Sequence, residues 1–504
     1  MQHFLLLAAL ASPLARAAST LFFGATIIAF NSTDESLRVI RNGSLLVTDD
    51  RIAALSPGDT PLLDLTADTL HVNATDQIIT PGFIDTHRHG WQTALKTMGS
   101  NTTLLDYFAR YGEFAAAAHF RPEDVYLGQL MGLWEALSGG VTTLLDHAHH
   151  TWSNATAYAG LNASVESGAR VFWSYAFHNI SSLKYTVAEQ VPNFQEIAES
   201  NILAGTSTEL GIAYDAWGPD PNVGEARQIA DLALRYNVSV VTTHSLAGPW
   251  GTDNLPSDVD RFDLLRGTIP VVFSHGSFLT PTDAALLRST NQYVSITPES
   301  EMHYGHTHPH AHLLQDQAAL GVDTHFTYSS DILTQARIWL QSVRYGAAWD
   351  VLRNWGLPSR NPMSANQAFL LATRAGGLAL RRPDLGVLEV GAKADLVVWN
   401  ARDSLSMLGW VDPVAAVILH ANPGDVWDVV VDGKFVKREG SMVAKQLGTV
   451  RERFLTSARR IQQIWRETPY PIVQGESAAG FPYVVPMIAD TQRGEGNGYG
   501  ELFV

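Results

Sequence analysis

His87 and His89 stand two residues apart at the end of an apolar run, in Ile78-Ile79-Thr80-Pro81-Gly82-Phe83-Ile84-Asp85-Thr86-His87-Arg88-His89-Gly90-Trp91-Gln92. Side chains on a strand alternate faces, so these two imidazoles point the same way. Such a pair serves as the first half of a metal centre, although packing or a hydrogen-bonded surface accounts for a lone His-x-His equally well. The chain has no cysteine. No thiolate is therefore available, and any metal takes nitrogen and oxygen ligands. Three more residues of suitable type close apolar, strand-like runs: His244 after Val240-Val241-Thr242-Thr243, His275 after Val271-Val272-Phe273-Ser274, and Asp323 after Gly321-Val322. Each alone reads as a core or capping residue. A divalent cation among such groups would lower the pKa of bound water to about 7, the first requirement of hydrolysis at neutral pH.

The phrase Pro81-Gly82-Phe83-Ile84-Asp85-Thr86-His87-Arg88-His89 resembles the first-strand signature of the amidohydrolase superfamily. The branch it resembles holds cytosine deaminase, the triazine hydrolases and the S-adenosylhomocysteine deaminases. That resemblance implies that His87, His89, His244 and Asp323 bind metal and that His275 donates or accepts a hydrogen bond beside it. Three imidazoles and a carboxylate suit Zn²⁺, with Fe²⁺ as a rival. Binuclear members of the superfamily bridge their metals with a carboxylated lysine, typically from strand four. No lysine occurs between Lys184 and Lys393, so one metal is expected. Asp323 would hold the cation and the water's proton, passing the proton to the leaving group, while His275 would stabilise the tetrahedral oxygen.

The implied reaction is hydrolysis of a C–N bond other than a peptide bond, in a small cyclic or aromatic substrate. The resembled deaminases carry Glu three residues after the strand-five histidine, where this chain has Ala247. A heterocycle deaminase would need a relocated acid, for which Glu299 and Glu301 are candidates. A decarboxylase or lyase on the same metal and a non-catalytic binding scaffold are the remaining alternatives. Trp91 and Gln92 offer a stacking face and an amide, and Asp146, His149, Glu301 and His306 are further expected substrate contacts. The run from His303 to His312 reads as a polar loop over the site or a second metal-binding segment.

Elements must bring these residues together. Eight strand patterns alternate with helical ones: Ile78 to His89, Val141 to His147, Arg170 to Phe177, Glu209 to Asp215, Val238 to His244, Pro270 to His275, Gln292 to Pro298 and Gly321 to Phe326. Intervening helices are expected over Val125 to Leu137, Val223 to Tyr236, Ala284 to Ser289 and Leu333 to Trp349, with others at Ser364 to Leu380 and Val450 to Thr468. Eight such units predict a TIM barrel with its chemistry at the C-terminal strand ends. Short strand patterns between Leu21 and Asp64 precede the barrel, and the run from Gly386 to Trp399 resembles the second half of the β-sandwich that flanks amidohydrolase barrels. The expected organisation is a signal peptide over 1–18, half of a sandwich over 19–76, the barrel over 77–384, the other half over 385–445, and a helical, Gly-rich tail over 446–504.

Composition narrows the partners. The 504 residues are 46% hydrophobic and 17% charged, with a formal charge of -16, as in a globular chain with a large core. An acidic chain without basic clusters argues against nucleic acid and anionic membranes and leaves a small-molecule substrate, with a homo-oligomer possible. The apolar run Phe4 to Ala11 before Ala15-Arg16-Ala17 has the pattern of a secretory signal. Asn-x-Ser/Thr sequons at Asn31, Asn42, Asn73, Asn101, Asn154, Asn162, Asn179 and Asn237 fit a glycosylated, secreted protein.

Overall fold

The computed structural model describes residues 19–58, 65–306, 310–477 and 480–486. Its centre is an eight-stranded sheet in which every pairing is parallel, running in chain order through Phe83–Arg88, Val141–Ala148, Arg170–Phe177, Thr208–Tyr214, Val241–Leu246, Val271–Ser277, Tyr293–Ile296 and Ala318–Leu320. A bridge between Arg88 and Asp323 joins the last strand's end back to the first. Val322 and Asp323 both donate their amides to the His87 carbonyl, at 3.0 and 2.8 Å. This is a (β/α)8 barrel. Ile84, Leu145, Phe172, Val240, Val272 and Ala319 form one buried cluster with Leu380 and Leu385. Strands buried on both faces read as continuous apolar runs, which is why their positions are legible in sequence.

Two boundaries differ from expectation for a physical reason. Ile78–Pro81 belongs to another sheet, and the barrel strand starts at Phe83. The chain crosses between sheets at Gly82, where an added Cβ would lie 2.0 Å from the Thr142 hydroxyl oxygen. Only glycine permits that approach. The eighth strand is Ala318–Leu320, so Asp323 lies in the loop after it. His244 falls inside its strand, which continues to Leu246. The helix expected over Ser364 to Leu380 is two, Ala365–Ala372 and Arg374–Ala379, broken at Thr373. The helix expected over Val450 to Thr468 is Leu447–Glu467, but its Arg453 and Arg460 pair with Glu123 and Asp124.

The second sheet has nine strands and mixed direction, and both ends of the chain build it. Ile78–Pro81 is its joint, parallel to Ser19–Asn31 on one side and antiparallel to Leu396–Trp399 on the other. Ser19–Asn31 is one strand bulged at Gly24, whose φ is 78°. Residues 1–18, which hold the proposed signal, lie outside the described residues.

A buried ionic cluster ties the two sheets together. Arg170, at the start of the third barrel strand, donates from Nε to Asp395 Oδ2 at 2.9 Å and from Nη2 to Asp395 Oδ1 at 3.2 Å. It also pairs with Asp432, which accepts from Lys393 Nζ at 2.8 Å. Arg170 and Asp395 are both 3% exposed. Burial pushes the Asp432 carboxyl up, but Arg170, Lys393 and Ser207 outweigh it and hold it well below the usual range. Its folded pKa is depressed, so the stability it contributes is complete above about pH 4 and drains away as pH falls towards the folded value. Arg170→Met should lower the free energy of unfolding at pH 7 by about 3 kcal/mol. Urea titration measures this, and the deficit of the variant should shrink as pH falls below about 4.

Candidate metal centre

The first barrel strand delivers its histidines against a rigid back wall. Asp85, fully buried, accepts from the His87 amide at 3.2 Å, the Val322 amide at 3.0 Å and Arg88 Nε at 2.7 Å. Arg88 continues to the Ser330 hydroxyl and carbonyl, both at 2.9 Å. One carboxylate thereby sets the backbone of both His87 and the loop carrying Asp323. His275 and Asp323 adopt left-handed conformations, with φ of 72° and 65°. Strain of this kind at non-glycine residues is held in place by surrounding structure and gathers at functional sites.

His87, His89, His244 and Asp323 each offer one ligand atom, and the four atoms lie within 4.8 Å of one another. Asp323 Oδ1 is 3.3 Å from His87 Nε2 and 3.1 Å from His89 Nε2. His244 Nε2 is 3.3 Å from His89 Nε2. The opposite ring nitrogens are spoken for. His89 Nδ1 donates to the His147 carbonyl at 3.0 Å, His244 Nδ1 meets Asp215 Oδ2 at 2.8 Å, and His87 Nδ1 lies 2.8 Å from the Ser274 hydroxyl. A carbonyl or carboxylate partner fixes the proton on Nδ1, so the Nε2 lone pairs of His89 and His244 face inward. His87 Nε2 is buried without a hydrogen-bond partner. Buried lone pairs turned on one another repel unless a cation lies between them, and three imidazoles with one carboxylate are the donor set of a single Zn²⁺-like ion.

Around this set the other groups take supporting places. Asp323 Oδ2 accepts from the Ser300 hydroxyl at 2.6 Å. His275 Nδ1 lies 2.9 Å from Thr297 Oγ1, and burial holds its imidazole down to about 3. Its ring is 5.1 Å from that of His87 and 4.6 Å from that of His306. Burial lowers His244 too, but while Nε2 holds no cation the Asp215 carboxylate outweighs it and lifts the ring to about 9; a bound cation takes the place of that Nε2 proton. His147 Nε2 also reaches Asp215 Oδ2, at 3.3 Å, so His147, Asp215 and His244 form a second set of potential ligands next to the first.

A cavity of about 250 Å³ opens on these residues, lined by His89, His147, His149, His244, His275, His306 and Asp323 together with apolar side chains. His149 stacks on His89 with centroids 3.8 Å apart, and burial drives its ring well below the ordinary range. Among the expected substrate contacts, His149 and His306 therefore face the cavity. The others do not. Trp91 is fully buried against Phe120 and Trp152 and donates to His149 Nδ1 at 2.9 Å. Gln92 donates to the Tyr107 hydroxyl and the Tyr111 carbonyl, both at 3.1 Å. Asp146 accepts from the Gly90 amide and Gln129, and burial pushes it up to about 6. Trp91 and Gln92 follow the ligand pair in sequence, but the turn Gly90–Leu95 swings them into the core, while Asp146, near the end of the strand Val141–Ala148, is used up by the Gly90 amide and Gln129.

The relocated acid also needs correction. Glu299 accepts from Gln335 and pairs with Ser329, and Glu301 lies behind His275, 3.7 Å from its Nδ1 and bonded to the Thr297 amide at 2.8 Å. Burial pushes Glu301 up to about 7. Neither lines the cavity. The carboxyl groups that do, besides Asp323, are Asp215 and Glu113. Asp215 ends the fourth strand pattern and was legible as the only acid at a strand end without an assigned role. Glu113, in the short helix Glu113–Ala116, gave no sequence signal. In the histidine-rich run, His303 lies in the last turn of the helix Pro298–Tyr304, His310 and His312 are exposed, and residues 307–309 lie outside the described residues.

The chain matches the amidohydrolase family over residues 78–436. It is 24% identical over 430 residues to a 5-methylthioadenosine/S-adenosylhomocysteine deaminase of Pelotomaculum thermopropionicum, covering 83% of this chain and 93% of that protein. In fold it is similar to an adenosine deaminase from Xanthomonas campestris with bound zinc, at 18% identity and a TM-score of 0.75, over 90% of this chain and 99% of the other. Atrazine chlorohydrolase from Arthrobacter aurescens complexed with zinc is similar at 18% identity and a TM-score of 0.73, covering 87% of this chain and 100% of the other.

The geometry makes Asp215 the support of His244. Asp215→Asn should weaken zinc affinity about 10- to 100-fold, as loss of a ligand's hydrogen-bonding carboxylate does, while the far-ultraviolet circular dichroism stays unchanged. Competition with a chromophoric chelator reads the affinity. Equal affinity in the variant would remove Asp215 from the site's support.

Proposed function

The chain belongs to the amidohydrolase family, and on that premise we propose that it is a metal-dependent hydrolase of a non-peptide C–N bond in a small cyclic or aromatic substrate. The observation that carries this reading is the convergence of His87, His89, His244 and Asp323 on one point at the cavity floor, with His275 alongside. A divalent cation bound there supplies the positive charge that brings a water's pKa to about 7. The remaining work falls to the chain. Asp323, whose Oδ1 faces the ligand nitrogens, takes the water's proton through Oδ2, the oxygen steadied by the Ser300 hydroxyl, and returns it to the leaving nitrogen. His275 is a neutral imidazole at working pH and hydrogen-bonds the oxygen that gains charge as the substrate carbon becomes tetrahedral. The apolar walls exclude bulk water, which strengthens both interactions. Similarity to proteins named as deaminases supports an amine on a heterocycle as one leaving group, although the acid expected three residues after His244 is Ala247.

Ammonia or amine release from a panel of aminated heterocycles and cyclic amides tests this. Activity should disappear on removal of metal with a chelator and return with about one equivalent of zinc. His275→Gln should retain the metal and lose about 10²- to 10³-fold in kcat. Full turnover by metal-free protein would end the proposal.

Entry into the secretory pathway is a second, separate proposal. Seven of the sequon asparagines, Asn42, Asn73, Asn101, Asn154, Asn162, Asn179 and Asn237, are exposed and Asn31 is half-buried, so an oligosaccharide can reach them. No helix among the described residues is long and apolar enough to cross a membrane. Expression with the native leader in a eukaryotic host should place the protein in the medium, with a mass that drops by several kilodaltons on enzymatic deglycosylation. Unglycosylated protein retained in the cytosol would rule it out.

A further inference from the structure

Beside the imidazoles and Asp323, the cavity has a lining chemistry of its own. Five aromatic side chains line it: Tyr107, Phe108, Phe114, Phe177 and Tyr214. Glu113 is the carboxyl group among them, carried between Phe108 and Phe114 by the segment that follows the first barrel strand. It is half-buried. Among the residues lining the cavity there is no lysine or arginine. Phe108 and Phe114 stay 49% and 55% exposed, an expense that a surface unrelated to a ligand has no reason to keep.

Charge follows from the same lining. A divalent cation is balanced by Asp323 and Asp215, which leaves Glu113 with no lysine or arginine among the lining residues to answer its charge. A carboxylate in apolar surroundings is costly, and its desolvation raises Glu113. One ligand removes that cost: an organic monocation, which pairs with the carboxylate and lies against aromatic faces that attract positive charge. Anionic ligands such as phosphate esters meet no compensating group.

We propose that Glu113 and the aromatic walls form a subsite for a positively charged nitrogen of the substrate, so that the substrate class is organic monocations with an apolar ring. This rests on the hydrolase reading for what happens at the metal, and adds the charge of the molecule that enters. Glu113 touches the substrate's cationic end and sets specificity; the C–N bond cleaved lies at the other end, beside His275.

The test uses the zinc-loaded full chain and two probes of equal shape, 3-hydroxyphenyltrimethylammonium and 3-tert-butylphenol. Neither carries a scissile C–N bond of the substrate type, so the outcome is independent of turnover. Calorimetric titration should show the cation bound at least tenfold more tightly than its neutral isostere. Glu113→Gln should bring the two within about threefold by weakening the cation alone, and Glu113→Asp should keep part of the preference. Zinc content measured alongside reports on the metal site separately. A wild-type protein that binds the neutral probe as tightly as the cation, or binds no cation, overturns the subsite; so does a Glu113→Gln protein that keeps the preference. Loss of zinc-dependent hydrolysis with the preference intact would instead strike the hydrolase reading.

Discussion

Inward-facing lone pairs are the constraint on which this structure turns. His89 and His244 commit their Nδ1 protons to a carbonyl and a carboxylate, and the Nε2 atoms that remain face each other 3.3 Å apart. Packing alone would not choose that arrangement, because buried acceptors without donors cost free energy. It becomes favourable when a cation draws the pairs together. The rest of the barrel mouth is arranged so that these nitrogens cannot turn away.

That arrangement doubles as the barrel's closure. The amides of Val322 and Asp323 bond to the His87 carbonyl, and Asp85 reaches both sides of the same junction. The seam where strand eight meets strand one is therefore also the metal site. Folding the sheet shut and assembling the ligands become one event, which explains why the most buried ion pair in the region, Asp85 with Arg88, lies just behind it. The cost of desolvating that pair is offset by bonds to the His87 and Val322 amides and to Ser330.

Two kinds of group line the cavity. The imidazoles and Asp323 hold polar atoms fixed by hydrogen bonds. Tyr107, Phe108, Phe114, Phe177 and Tyr214 are aromatic, and Glu113 adds a charged group. Rigid placement suits bond-making steps, whereas an apolar wall with few polar groups suits selection among ligands. The family's usual acid position is Ala247, which is buried beside strand six through its amide bond to the Ser277 carbonyl.

Much of this was legible in the chain. Local apolar runs place His87, His89, His244 and His275 in or beside barrel strands and Asp323 just after one. The metal-binding role of His87, His89, His244 and Asp323 is what the resemblance to the amidohydrolase superfamily implies, and periodicity does not. Boundaries were less legible where local pattern and tertiary role part company, as at Gly82, which reads as a kink in one strand but carries the chain from one sheet to another. Trp91 and Gln92 leave the pocket because neighbours in sequence need not be neighbours in space once the chain turns at Gly90–Leu95, and Asp146 because its oxygens are taken by the Gly90 amide and Gln129. What the sequence by itself determined is the order and placing of the barrel strands, since periodicity is a local property. Only the tertiary structure decided which residues complete the site: Asp215 and Glu113 arrive from separate strands and helices, and long-range packing, which leaves no local signature, sets the distance between them and the ligands.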